Sequence, residues 1–101
     1  MSQQFQIQLT QLLQQFPLQR ASLFGSFARN EETDTSDIDI LIEPKKGFTI
    51  FDMLRMEQAL QEKLNRKIDL VEFAAIKPSI RERVLQQAIT LIWRSATAMF
   101  I

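Results

Sequence analysis

Between residues 36 and 43 the chain reads Ser-Asp-Ile-Asp-Ile-Leu-Ile-Glu, and this alternation constrains the fold more than any other feature. A β-strand sends successive side chains to opposite faces, so Ile38, Ile40 and Ile42 share one side while Asp37, Asp39 and Leu41 share the other. The isoleucines fix a strand over Ile38–Glu43 in a core, and the two acids then point the same way. Carboxylates this close repel and raise one another's pKa, a cost relieved when a cation sits between them.

The remaining segments arrange themselves around that strand. Phe5, Leu9, Leu12, Leu13 and Phe16 form a helical stripe in the Gln-rich beginning, which predicts an amphipathic helix ended by Pro17. Ala21–Phe24 reads as a short strand ended by Gly25, and Gly25-Ser26 opens a short helical piece through Arg29. Residues 30–36 are polar and turn-prone, hence a loop, and Pro44-Lys45-Lys46-Gly47 is a turn. Met53, Met56, Leu60 and Leu64 line one face of a helix over about 51–64. Lys67–Glu72 is a third strand. Pro78 suits the first turn of a last long helix, whose apolar stripe is Ile80, Val84, Leu85 and Ala88. Thr90–Trp93 is a short final strand, with Trp93 read as core. Helices and strands that alternate in this way make one sheet with helices packed against it, in a single domain over residues 1–101.

The side-chain repertoire narrows the chemistry. The chain has no cysteine and no histidine, which excludes disulfides, thiolate nucleophiles, imidazole bases and His-ligated metals. Carboxylates, hydroxyls, guanidinium and ammonium groups remain, and hard oxygen donors select magnesium-type ions. Twelve basic and twelve acidic residues cancel, and a net charge of zero argues against general nucleic-acid binding. The clusters Lys45-Lys46 and Lys63, Arg66, Lys67 read as solvated faces. No apolar run approaches the ~20 residues of a membrane helix. The first residues lack the basic start and apolar core of a signal peptide, so a cytoplasmic location is expected.

Three features carry the chemistry. Asp37 and Asp39 lie on one strand, and Asp69 lies on another of similar pattern, Lys67-Ile68-Asp69-Leu70-Val71. If the two strands are neighbours, three carboxylates converge, and three acids can hold two divalent ions about 3.5–4 Å apart. Gly25-Ser26 after a strand allows close backbone approach to a triphosphate and adds a hydroxyl donor. Arg29 behind it could add a charge-assisted phosphate contact. Each feature alone has a plainer reading: solvated strand-end acids, a helix cap, a solvated arginine.

Taken together, Gly25-Ser26-Phe27-Ala28-Arg29 followed by Ser36-Asp37-Ile38-Asp39-Ile40-Leu41-Ile42 resembles the GSxAR(G)…SDxDLLV signature of the minimal nucleotidyltransferases. These are small members of the polymerase-β-like nucleotidyltransferase superfamily. Lys67–Val71 resembles the family's third-acid strand, and Lys77–Leu85 its last helix. The pattern departs at Asn30, where the family usually has glycine; Asn tolerates positive φ better than most residues. The resemblance implies an α+β fold, a mixed β-sheet flanked by helices. It implies that Ser26 and the Gly25 backbone hold a nucleoside triphosphate, that Asp37 and Asp39 ligate magnesium, and that Asp69 completes the metal site and helps activate the attacking hydroxyl. It further implies a HEPN-type ribonuclease toxin as partner, neutralised by transfer of AMP from ATP to one of its tyrosines.

Two other readings stay open. The chain could neutralise a partner by contact alone, with Trp93, Met99, Phe100 and Ile101 as candidate surface residues; core packing is the plainer reading of all four and the favoured one for Trp93. It could also be a subunit that needs a second chain to complete its substrate site.

Overall fold

A computed structural model describes residues 1–94; Met99, Phe100 and Ile101 lie outside the described residues. Helix α1 (Gln3–Leu13) starts at Ser2, whose Oγ accepts the Phe5 N–H, and buries Leu9 and Leu13. It stops short of the expected Phe16 because a residue before proline is driven out of the helical region. Gln14–Pro17 forms a turn instead, closed by Phe16 N–H to Leu13 O at 3.1 Å.

Strand β1 (Leu18–Phe24) begins three residues before the expected Ala21. Its polar start is held by pairing: Leu18 opposes Pro44 and Arg20 opposes Glu43 on β2 (Ile38–Pro44). Helix α3 (Ile50–Leu64) opens with a capping box in which Thr49 Oγ1 accepts the Asp52 N–H and Asp52 accepts the Thr49 N–H. It closes at Asn65, which takes the left-handed conformation at φ 53°. Strand β3 (Ile68–Glu72), a 3-10 turn (Phe73–Ala75), helix α4 (Pro78–Gln87) and strand β4 (Ile89–Trp93) complete the described chain. The short helix α2 (Gly25–Ala28) joins β1 to the loop before β2.

The sheet is mixed and four-stranded, in the order β3-β2-β1-β4. β1 is antiparallel to both β2 and β4, while β2 and β3 run parallel. Ile38, Ile40, Ile42, Leu23 and Ile68 meet Leu9, Leu13, Met56 and Leu60, so α1 and α3 cover one face. On the other face Leu41 packs with Phe73 and Ile76, flanked by Phe24, Val71, Val84 and Ala88.

The outer face is less enclosed, and the expectation that Trp93 is core is corrected there. Helix α4 contributes no fully buried residue, and within its stripe Ile80 and Leu85 are 45% and 40% exposed. Trp93 is 62% exposed rather than core, because β4 is an edge strand and the indole stands over the outer face beside Arg20. No described helix is long and apolar enough to cross a membrane.

Candidate active site

The site forms where three strand ends meet. Phe24, the last residue of β1, opposes Asp39 on antiparallel β2, and Asp39 opposes Asp69 on parallel β3. The topology therefore brings Gly25, Asp39 and Asp69 together at one end of the strands. Gly25 has φ +69°, and a Cβ there would overlap the Asp39 carboxylate. Glycine is required at this corner twice, for the backbone angle and for the close approach of the acid.

Beyond Gly25 the chain makes the four-residue α2, closed by Arg29 N–H to Gly25 O at 3.1 Å. Asn30 adopts φ 59°, so the turn that glycine usually makes survives here. Glu31 N–H donates to Ser26 O at 2.8 Å, which folds the loop back against the cradle. Arg29 Nε pairs with Glu31 Oε2 at 3.2 Å on the surface.

Burial pushes the Asp39 carboxyl above its usual range, and the negative charges of Asp69 and Asp37 push the same way; Arg29 opposes them in part. The three acids are not equivalent. Asp39 and Asp69 are strand partners, whereas Asp37 precedes β2 and its carboxylate stands 4.0 Å from Lys67 Nζ. Among the described residues no three acidic side chains form a cluster that could hold a metal ion. The expected three-way convergence is thus a close pair with a third acid at the rim.

Arg66, expected on a solvated face, is instead bound to the loop before β2. Its Nη1 donates to Thr33 O at 2.9 Å and Ser36 O at 3.0 Å, in the loop leading to Asp37. No sequence signal points to it, because its acceptors are backbone carbonyls far away in the chain.

The donor set suits a hard cation. Asp39 carries repulsion from two acids that Arg29 offsets only in part, and the carboxylate oxygens gathered there are hard donors. Comparison with known proteins decides the family: residues 8–97 match the model described as polymerase beta, nucleotidyltransferase. The chain belongs to the polymerase-β nucleotidyltransferase family. This nucleotidyltransferase is 40% identical over 75 residues to a Methanocaldococcus jannaschii protein provisionally named a protein adenylyltransferase, covering 74% of this chain and 81% of the relative. A solved structure described provisionally as a minimal nucleotidyltransferase superposes with a TM-score of 0.74 at 32% identity, over 85% of this chain and 88% of that one. The complex of a tri-AMPylated Shewanella oneidensis HEPN toxin with its MNT antitoxin gives a TM-score of 0.68 at 24% identity, over 99% and 78%, a likeness of fold.

Proposed function

We propose that this nucleotidyltransferase transfers AMP from ATP to a hydroxyl of a partner protein in a magnesium-dependent reaction, and that the partner is a HEPN-type toxin for which it serves as antitoxin. The observation that carries the reading is the Asp39–Asp69 pair set against the Gly25–Ser26 corner. The adenylyltransferase name of the M. jannaschii relative supports the choice of group transferred. The MNT–HEPN complex of shared fold supports the choice of partner.

In this reading Ser26 Oγ and the Gly25 backbone hold the triphosphate, with Arg29 adding a phosphate contact. Asp39 and Asp69, with Asp37 at the rim, would hold magnesium, which would supply positive charge to the triphosphate and acidify the attacking hydroxyl. The acceptor oxygen bonds to the α-phosphorus, the bond to the β-phosphate bridging oxygen breaks, and pyrophosphate leaves with that electron pair. Asp69 helps remove the hydroxyl proton.

The test is mass spectrometry of a HEPN protein encoded beside this chain, after incubation with the chain, ATP and magnesium. A gain of one or more AMP units on the partner is expected; an unmodified partner contradicts the reading. Exposed Ile50, Phe51 and Leu54 on α3 favour a second reading, neutralisation by contact. Stoichiometric inhibition of the ribonuclease by the Asp37→Asn/Asp39→Asn double variant supports that alternative.

A further inference from the structure

We propose that Arg66 is a positioning residue. Through the carbonyls of Thr33 and Ser36 it holds the loop that presents Asp37 and Asp39 beside Asp69. The left-handed Asn65 ends α3 and turns the chain toward this loop. Arg66 Nη1 then donates to Thr33 O and Ser36 O, across 33 and 30 residues of sequence. The loop is shaped to receive it. Ser36 N–H donates to Thr33 O at 3.2 Å, and Ser36 Oγ accepts the Thr33 N–H at 2.8 Å, so both carbonyls belong to one closed turn.

The placement sets register. Ser36 and Arg66 each stand three residues ahead of an acid, Asp39 and Asp69. Just inside their bond, Ile38 N–H donates to Lys67 O at 2.9 Å. The ladder then pairs Ile38 with Ile68 and Asp39 with Asp69. Two like-charged groups do not favour their own alignment, and the cationic clamp upstream adds to the apolar pairs Ile38–Ile68 and Ile40–Leu70 that hold it. The same guanidinium lies 5.1 Å from the ring centroid of Phe27, the buried residue next to Ser26. Arg66 thereby joins β3, the approach to β2 and the cradle helix. An exposed ion pair could not fix such a geometry, but a planar donor shared between two carbonyls can.

The catalytic consequence rests on the nucleotidyl-transfer reading above; the hold on the loop does not. Arg66→Met and Arg66→Lys are compared with wild type by amide hydrogen exchange and by transfer kinetics. In Arg66→Met the Ser36 and Ile38 amides are expected to exchange at least about tenfold faster while core amides such as Leu60 are unchanged. Its kcat is expected to fall about 10²-fold, the scale of a misplaced reacting group, with KM for ATP changed less than about threefold. Arg66→Lys, which keeps the charge but loses the guanidinium plane over Phe27, is expected between the two in both readouts. Unchanged exchange at Ser36 and Ile38 overturns the proposal, as does faster exchange with kcat at the wild-type level. If Arg66→Met does not fold, wild-type behaviour of Arg66→Lys in both readouts overturns it. If wild type transfers nothing, the functional reading fails and the exchange measurement alone decides the role of Arg66.

Discussion

Asp39 and Asp69 are register partners on the parallel pair β2–β3, and the Asp39 carboxylate fills the space that a side chain at Gly25 would need. The sheet thus spends a strand pairing on two like charges, one of them half-buried. A scaffold selected for stability alone would place an apolar or neutral residue there. Strain of this kind concentrates at sites that bind or react.

The first consequence is a pH-dependent stability. Asp39 titrates above the ordinary aspartate value, because burial and its acidic neighbours favour the neutral form. A carboxyl raised on folding contributes stability below its unfolded pKa of ~3.9 and loses it as pH rises through the raised value. Ionised Asp39 therefore destabilises the fold at neutral pH. Asp39→Asn is expected to raise the melting temperature there by about 2 °C, equivalent to ~0.5 kcal/mol once solvent screening is allowed for. The difference should close in acid, where wild-type Asp39 is protonated. Paired thermal melts check this, and a less stable Asp39→Asn at neutral pH contradicts it.

Magnesium should reverse the same balance. Added magnesium is expected to raise the wild-type melting temperature and to leave Asp39→Asn nearly unmoved, since an ion that binds only the folded state stabilises it by mass action. Equal shifts in both proteins would locate the ion elsewhere.

Gly25→Ala meets two obstacles. An alanine at positive φ costs about 1 kcal/mol, and its Cβ must displace the Asp39 carboxylate. A loss of at least ~1 kcal/mol is expected, or about 4–8 °C for a chain of this size. Adding Asp39→Ala should restore part of it by removing the clashing group. A double-mutant cycle by denaturant unfolding measures the coupling, and strict additivity refutes the steric account.

How much of this was legible in the sequence follows from what each signal reports. The 36–43 alternation located β2 within a residue, because both faces of that strand are covered and each position has a definite side. The α3 stripe located Met56 and Leu60 in the core for the same reason. Periodicity tells which residues share a face and says nothing of whether that face is covered. Hence the α4 stripe is only partly covered, with Val84 and Ala88 against the outer cluster and Ile80 and Leu85 exposed, and the Trp93 indole, expected in the core, lies outside it. Gly25, Asp39 and Asp69 were legible because their chemistry is in the side-chain types. Arg66 was not, because a guanidinium bound to main-chain carbonyls leaves no pattern in the residues it touches.

The contrast between covered and uncovered leucines is itself measurable. Leu60→Ala, fully buried between α3 and the sheet, is expected to lose about 2–5 kcal/mol. Leu85→Ala on α4 should lose less than about 1 kcal/mol. Comparable losses from the two would mean that α4 is packed far more tightly than described.

The most direct measurement is the rate of AMP incorporation into the HEPN partner by wild type, Asp39→Asn and Asp69→Asn, each shown by circular dichroism to be folded. Both substitutions are expected to reduce the rate by at least about 10³-fold, the scale of losing a group that acts on the transition state. Undiminished incorporation by either folded variant would contradict the assignment of the paired acids as the reaction centre.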